Sequence, residues 1–344
     1  MVTRDIVERQ NKILEIIVSS YVDTALPVGS GSVSKIVGLS SATVRNVMSD
    51  LEELGYIMHP HTSAGRIPTD KGYRCYVESL MQAEYINKKE AKRIGEEYNQ
   101  KRKGIEDIIK NTAEVLSTIT HHTGIILFPR FKRPSFKHID LISIGKKKIL
   151  VVLVTSTGIV KNLIIDTEKD LKNDLEAIVN LLNGDYHGFT LEDIKEHLIR
   201  QIGQQRDSSY SVLKRTSEII GSMLELFYDD ELYFDGTSYL LSQPEFENTS
   251  IAKLLLQCFE DKAMLLELME KDLQEEGVRV YIGKENTSPY MKNCSIVTSG
   301  YKIKDELSGR LGIIGPTRMA YSHLIPLVGY ISGTLTSTLE DFTE

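Results

Sequence analysis

The chain has 344 residues, 41% of them hydrophobic, and a formal charge of -7 at pH 7. This length predicts roughly two or three domains, and the hydrophobic content excludes a globally disordered chain. The three cysteines lie far apart without CxxC spacing, which excludes a disulfide scaffold and a cysteine-based zinc site. No apolar block approaches the roughly 20 residues of a membrane helix, and the first residues lack the apolar core of a signal peptide. We therefore expect a cytoplasmic protein without a membrane partner.

The acidic charge is concentrated outside the N-terminal segment. Residues 1–80 contain eight Lys or Arg and nine Asp or Glu, so this segment is close to neutral. Residues 81–344 carry most of the negative charge. An acidic chain should on balance be repelled by nucleic acid. The asymmetry nevertheless indicates a separate N-terminal module, which has to be judged by its own charge.

Residues 1–80 have the element order of a winged helix-turn-helix. Gly38 ends a short second helix, and Ser40 with Ser41 supplies an N-cap for a third, which Gly55 ends. A stretch rich in turn formers follows and predicts a β-hairpin. The apolar spacing predicts helices over residues 5–22, 32–37 and 41–54, the hairpin over 56–72 and a short helix over 73–80.

The remaining chain begins with a charged connector and continues with blocks of strands and helices. Residues 84–112 are strongly charged with sparse apolar spacing, which predicts a solvated connecting helix, whereas a coiled coil would need sustained apolar heptads. We expect strands over 124–128, 138–144, 148–155, 159–165, 278–282, 295–299 and 309–314. We expect helices over 171–182, 190–228, 251–273 and 321–339. Residues 231–247 are expected to be extended, with a turn at Asp235 and Gly236.

Strands, then helices, then strands again are the sequence pattern of an inserted domain. The outer strands would belong to one α+β sheet, which residues 193–275 would interrupt. Two successive α+β domains are the alternative. The predicted fold class is therefore multidomain α+β with an N-terminal winged helix-turn-helix.

The third helix has the side chains of a DNA recognition helix on the face that its apolar stripe leaves free. Arg45 can pair with guanine, and Asn46 can pair with adenine. Ser41, Thr43 and Ser49 suit phosphate contacts, especially near a helix N-terminus. The alternative is an ordinary exposed helix in a three-helix bundle.

The predicted hairpin strengthens the DNA interpretation. Its polar and cationic residues suit a wing on a phosphate backbone or in a minor groove, and Gly65 lets the backbone turn or approach closely. These residues are His59, His61, Thr62, Ser63, Arg66 and Lys71. His59 and His61 could instead form a metal pair, but no Cys, Asp or Glu lies at ligand spacing nearby.

Enzyme signatures in the sequence are poor. There is no phosphate-binding GxxxxGK[ST], no HExxH and no GxSxG, so we expect no catalytic residue, no cofactor and no metal. The stretch from Gly312 to Met319 runs from a strand through a glycine turn into a helix. It could form an anion site at a helix N-terminus. A tight packing corner is the interpretation we prefer.

Several segments in the same order make the sequence recognisable. It resembles the bacterial heat-inducible transcription repressor family, HrcA. The segments that carry the resemblance are ERQNKILEIIVSSYVDTALPVGS (8–30), SSATVRNVMSDLEELGYIMHPHTSAGRIPTDKGYRCYV (40–77), YFDGTSYLLSQPEF (233–246), IGKEN (282–286) and LGIIGPTRMAY (311–321). Together they are specific to the family, although a helix-turn-helix match alone would be weak.

The resemblance implies a dimeric repressor that binds an inverted-repeat operator in double-stranded DNA upstream of chaperone operons. It implies that the chaperonin GroEL maintains the active form and that heat shock releases the operator. By position, Ser41, Thr43, Arg45 and Asn46 fall in the family's recognition helix, and His61, Thr62, Ser63, Gly65 and Arg66 fall in its wing. The charged stretch 88–103 departs from a plain linker, and it has no functional interpretation.

The resemblance also implies a domain plan. The expected parts are a winged helix-turn-helix over 1–80, a connecting helical linker over 81–112, a GAF-like domain over 113–192 and 276–344, and an inserted dimerisation domain over 193–275. An alternative function follows from the same plan, because a GAF-like sheet often holds a small molecule. Operator binding would then be gated by a metabolite.

Overall fold

The computed structural model describes residues 2–60, 65–80, 86, 88–99, 104–128, 135–156, 160–167, 171–172, 174–204, 209–229, 232–271, 273, 275–286, 288–303 and 306–343. The N-terminal part contains α1 (Val2–Thr24), α2 (Ser30–Val37), α3 (Ser41–Glu53), β1 (Ile57–Met58), β2 (Ile67–Pro68) and α4 (Asp70–Leu80). Strands β1 and β2 pair antiparallel. The predicted winged helix-turn-helix is therefore confirmed, with the third helix ending one residue before the predicted Leu54.

Local signals explain why the N-terminal prediction succeeds. Gly38 adopts a left-handed φ of 74° and ends α2, and Ser40 caps the start of α3. Gly55 follows α3 with a φ of 77°, a conformation that glycine adopts without strain. Each of these signals acts within a few residues of the chain, so the sequence alone reveals it.

The connecting segment forms two helices, α5 (Lys88–Asn99) and α6 (Ile105–Thr120), and not one solvated helix. Helix α6 is largely buried, including Ile105, Ile109 and Leu116. Residues 105–112 therefore belong to the core, which corrects the expectation that the whole segment 81–112 is a linker.

A five-stranded antiparallel sheet forms the centre of the molecule, in the order β7-β3-β10-β9-β8. Its strands are β3 (Thr123–Leu127), β7 (Leu232–Asp235), β8 (Val278–Ile282), β9 (Cys294–Ile303) and β10 (Glu306–Pro316). Ile126 and Ile313 lie in one core with residues of α6 and of α13 (Tyr321–Thr343). Ile125 and Ile314 lie in a second core, on which α10 (Thr237–Leu241), α11 (Thr249–Glu260) and α12 (Lys262–Glu270) pack. Both faces of the sheet are therefore covered.

A separate unit contains a three-stranded antiparallel sheet in the order β4-β5-β6. Its elements are β4 (Phe136–Gly145), β5 (Lys148–Thr155), β6 (Val160–Asp166), α7 (Leu175–Asp185), α8 (Leu191–Gln204) and α9 (Ser209–Asp229). The helices and one face of the sheet share their own core, which includes Phe136, Val151 and Ile178.

The predicted sheet membership is wrong. Within the described part of the chain, β4, β5 and β6 pair with one another and with no strand of the central sheet. Segment 193–275 does not pack as one unit, because α8 and α9 pack on β4–β6 whereas α10–α12 pack on the central sheet. A strand pattern shows that a segment is extended, but it does not show which distant strand it pairs with.

Two smaller predictions also need correction. Residues 232–235 form β7 and the chain turns at Gly236 as predicted, but α10 and a short 3-10 turn at Pro244–Phe246 follow where extended chain was expected. The long helix expected over 251–273 is two helices, because Asp261 ends α11 and also caps α12 through the Met264 backbone amide. None of the helices described is long and apolar enough to cross a membrane.

Candidate DNA interface

Helix α3 buries one stripe of side chains and exposes another. Val44, Met48 and Leu51 lie in the core of the winged helix. Arg45, Asn46 and Ser49 lie on the exposed surface, and Ser41 and Thr43 are half-buried near the start of the helix. The structure thus brings the five predicted residues of α3 to its surface or its edge, with Arg45 and Asn46 adjacent and accessible.

The start of α3 is fixed by hydroxyl groups. The Ser40 side chain accepts a hydrogen bond from the Thr43 backbone amide at 3.1 Å and lies 2.8 Å from the Thr43 hydroxyl. The Ser41 hydroxyl lies 3.3 Å from that of Ser30 on α2. These bonds satisfy one backbone donor that the first turn would otherwise leave open, and they fix the turn between α2 and α3.

The wing is attached to the loop that precedes α2. Val28 and Arg66 exchange two backbone hydrogen bonds of 2.8 and 2.9 Å. A Cβ on Gly65 would lie 2.6 Å from the Val28 carbonyl carbon and oxygen, so only glycine allows this approach without a shift. The predicted wing residues His61, Thr62 and Ser63 lie outside the described residues.

Arg66 is engaged within the protein. Its guanidinium lies 2.8 Å from the Glu52 carboxylate of α3 and 3.0 Å from the His59 Nδ1. The Arg66 side chain is largely buried, at 18% exposure. Arg66 therefore links the wing to the C-terminal end of the recognition helix. Sequence spacing does not reveal Glu52 and His59 as its partners, because residues 14 and 7 positions away across a hairpin give no periodic signal.

Lys71 is also engaged by its own domain. Its ammonium group donates a hydrogen bond of 2.8 Å to the Leu54 carbonyl and lies 4.4 Å from the centre of the Tyr56 ring. A cation at the end of a helix stabilises the carbonyl groups that the last turn leaves open. Lys71 thus closes the end of α3.

The stretch from Gly312 to Met319 is a packing corner, as preferred from sequence. A Cβ on Gly315 would lie 2.5 Å from the Met319 sulfur and 2.9 Å from the His122 Nδ1. Burial, helped by the charges of His121 and Arg318, lowers the pKa of His122 from 6.5 to about 4. Among the described residues, no three His, Cys, Asp or Glu side chains are grouped so that they could hold a metal ion.

Comparisons with known proteins agree with the winged helix at the N-terminus. A model of the winged helix-turn-helix transcription repressor, HrcA DNA-binding, matches residues 5–81, and one of the HrcA protein C terminal domain matches residues 106–325. A crystal structure described only as a hypothetical protein is 24% identical, with a TM-score of 0.68, over 98% of this chain and 99% of that chain, and shows the same fold.

Full-length relatives decide the family. Proteins named heat-inducible transcription repressor HrcA from Geobacter sulfurreducens and Pelotomaculum thermopropionicum are 38% and 37% identical to this chain. The first match covers 98% of this chain and 99% of its relative, and the second covers 97% of both. The chain therefore belongs to the HrcA family of transcription repressors.

Proposed function

We propose that the chain represses chaperone operons by binding an inverted-repeat operator as a homodimer and that heat shock releases it. The observation that carries this proposal is the exposed face of α3, which presents Arg45 and Asn46 beside a capped helix start. A recognition helix needs one stripe for the core and one for the major groove, and α3 has both. The HrcA relatives support the same function through their name.

Arg45 and Asn46 are the proposed base-reading residues. An arginine can bind guanine O6 and N7 together, and an asparagine can bind adenine N6 and N7 together. Ser41, Thr43 and Ser49 would contact phosphates, and Gly65 would let the wing backbone approach the DNA. His61, Thr62 and Ser63 remain proposed wing contacts. Arg66 would contribute by holding the wing in place.

The experiment that tests the function begins with selection of genomic DNA fragments by the purified protein. Operator and scrambled duplexes are then compared at one salt concentration for the wild type, Arg45→Ala and the control Arg9→Ala. Arg9 is an exposed arginine on α1 of the same domain. Arg45→Ala should weaken operator binding by roughly 5- to 150-fold, the equivalent of about 1–3 kcal/mol, with a smaller loss on scrambled DNA. Equal losses on both DNAs would contradict base reading, and a wild type that selects no fragment would contradict the function.

The proposed dimer contact is the outer face of the β4-β5-β6 sheet. Ile142, Leu150 and Ile164 lie side by side in register across the three strands. Ile142 is 47% exposed and Ile164 is 61% exposed, whereas the inner face is packed by α7–α9. An exposed apolar row of this kind is typical of an interface, and a twofold repressor on an inverted repeat needs one.

The helices of 249–270 are a weaker candidate for the dimer contact. Leu255 and Phe259, which lie in the segment 193–275 expected to dimerise, are buried against the chain's own central sheet. Leu254 and Leu256 on the same helix are about half exposed. The proposed contact therefore lies within 135–166 and not within the expected segment 193–275.

Modulation by the chaperonin GroEL is proposed on family grounds. Metabolite gating is the alternative, but both faces of the five-stranded sheet are packed by apolar side chains. A sensor domain would instead need a pocket lined by converging polar groups. Purified, metabolite-free protein should bind the operator, and added GroEL should increase the active fraction. Binding that appears only after a cell extract of small molecules is added would favour the alternative.

A further inference from the structure

Three segments of the body that the proposed DNA contacts do not use meet on the winged helix. They are 282–286, 311–321 and 233–246, three of the segments that carry the family resemblance. In the structure, each supplies a polar group close to α1 or α4. We call the contacts of Gly283, Lys284, Glu285, Glu245 and Arg318 with the winged helix the seat.

The first part of the seat holds α4. The Arg74 Nε donates a hydrogen bond of 2.8 Å to Glu285 Oε1, and its Nη2 donates both to Glu285 Oε2 and, at 2.6 Å, to the Val280 carbonyl. Glu285 also accepts a bond of 2.9 Å from the Ile282 backbone amide, so the carboxylate has a fixed position. A bidentate arginine–carboxylate pair fixes orientation as well as distance.

The same part of the seat includes an approach that depends on glycine. The Asp70 carboxylate at the start of α4 accepts a hydrogen bond of 3.1 Å from the Lys284 backbone amide. Gly283 has a left-handed φ of 52°, and a Cβ there would lie 2.5 to 2.6 Å from the Asp70 carboxylate atoms. A larger residue would push α4 away from the body.

The second part of the seat holds the end of α1. The Arg318 Nη1 donates a hydrogen bond of 2.8 Å to the Val22 carbonyl, one of the carbonyls that the last helical turn leaves open. The Arg318 Nε also donates to Glu245 at 2.5 Å. The Arg318 side chain is only 14% exposed. Between the two parts, the centres of the buried rings of Tyr73 and Tyr321 lie 5.9 Å apart. These rings belong to one apolar core that extends from the winged helix into the body.

The seat leaves the DNA-reading face open. Its contacts are made by α1 and α4, whereas Arg45, Asn46 and Ser49 on α3 remain exposed. The winged helix is therefore fixed to the body without loss of access to α3. We call each winged helix of a dimer a head. The two heads would lie at one fixed distance from each other and in one fixed relative orientation.

We call each half of the inverted-repeat operator an arm. We propose that the seat is a positioning device, which determines the spacing between the two arms that the repressor can bind. The proposal rests on the proposed function, since it needs a dimer that reads two arms. When both heads are held in place, binding of the first arm presents the second head to its own arm at a high effective concentration. A loosely attached head would lose that advantage and would tolerate other spacings.

The test compares one-arm and two-arm duplexes with full-length protein. The substitutions are Arg74→Gln together with Arg318→Gln, and separately Gly283→Ala. The control Arg200→Gln removes an arginine from an exposed ion pair with Glu196 on α8, away from the seat. The two-arm duplex is the selected operator. In the one-arm duplex one arm is scrambled, and in a third duplex the arms are moved apart by about 5 bp, half a helical turn.

The seat variants should bind the one-arm duplex within about twofold of the wild type and the two-arm duplex at least about 10-fold more weakly, because bivalent binding depends on geometry. They should also lose most of the wild-type preference for the natural spacing. Unchanged two-arm affinity and spacing preference would overturn the proposal, as would equal losses on one-arm and two-arm DNA in a variant that circular dichroism shows to be folded. A wild type that gains nothing from the second arm would overturn the dimeric function, and the seat proposal with it.

Discussion

Arg66 is the residue whose proposed role the structure changes most. From sequence it suits a phosphate or a minor groove, but its guanidinium is paired with Glu52 and His59. Removing one partner of a largely buried ion pair destabilises the fold, because the other charge stays buried without a partner. Arg66 would therefore have to give up this stabilisation in order to reach DNA. We therefore expect Arg66 to act on DNA binding through the position of the wing.

Substitution of Glu52 separates this role from direct contact. If Arg66 holds the wing, Glu52→Gln should lower affinity for operator and scrambled DNA about equally, by roughly 3- to 10-fold, because one bond of the anchor is lost. If Arg66 touched phosphate directly, the same change would raise affinity, since it removes a negative charge and releases the guanidinium. Fluorescence anisotropy at fixed salt distinguishes the two outcomes. Glu53→Gln, an exposed carboxylate next in the chain, is the matched control.

His122 gives a prediction on pH. Burial holds its pKa at about 4 in the folded state against 6.5 in an exposed imidazole. Between pH 6.5 and pH 4, His122 is therefore protonated in the unfolded chain but neutral in the folded chain. The free energy of unfolding consequently falls as the pH falls from 6.5 towards 4.

The measurement is urea denaturation of the wild type and His122→Gln between pH 7 and pH 4.5. The free energy of unfolding of the wild type should fall more steeply than that of the variant, by up to about 1.4 kcal/mol per pH unit below pH 6.5. Other titrating groups cancel in the difference between the two proteins. Parallel curves would show that His122 is not buried in its neutral form.

At the scale of elements, the predictions that succeeded rest on local signals. The bounds of α3 followed from a serine cap and a terminating glycine, both within a few residues of the helix. The pairing of β3 with β10 joins residues nearly two hundred positions apart, and no local pattern reveals it. The same limit applies to the seat, where Arg74 and Glu285 are 211 residues apart.

The burial of the strands distinguishes the two sheets, whereas their sequences do not, because β5 is a nearly continuous apolar run, KILVVLVT. Strand β3 is buried at every position, as expected of a strand covered on both faces. Strand β5 alternates between buried and half-buried residues, which is typical of a sheet with one covered face. The apolar residues on the other face, including Leu150, are those that form the proposed dimer contact.

That contact predicts the effect of one charge on the β4-β5-β6 sheet. Ile164→Lys should shift the protein from dimer to monomer in light scattering, because a twofold contact would place two ammonium groups in an apolar interface. Ile199→Lys is the matched control, since Ile199 is 53% exposed on α8, outside the sheet. The Ile164 variant should keep one-arm DNA binding and lose the gain from the second arm. A folded Ile164→Lys protein that stays dimeric would place the contact elsewhere.

At the scale of the whole molecule, the charge distribution differs from that of a strongly basic DNA-binding protein. The winged helix has eight cationic and nine acidic residues, and the body carries most of the charge of -7. Arg66, Lys71 and Arg74 are each engaged by groups of the protein itself. Few cations of the winged helix are therefore available to neutralise phosphates. The negative charge of the body should in addition disfavour binding to DNA of arbitrary sequence.

This distribution predicts a shallow dependence of operator binding on salt. Each phosphate neutralised contributes about -0.9 to the slope of log K against log salt concentration, so a few contacts per head give a slope between about -2 and -5. Strongly cationic repressors reach about -10. Anisotropy titrations between 50 and 200 mM KCl would measure the slope, and scrambled DNA should bind weakly across the whole range. A slope near -10 would mean that more cations reach the DNA than the structure leaves available, for example an Arg66 released from Glu52, which would contradict the role of Arg66 as a wing anchor.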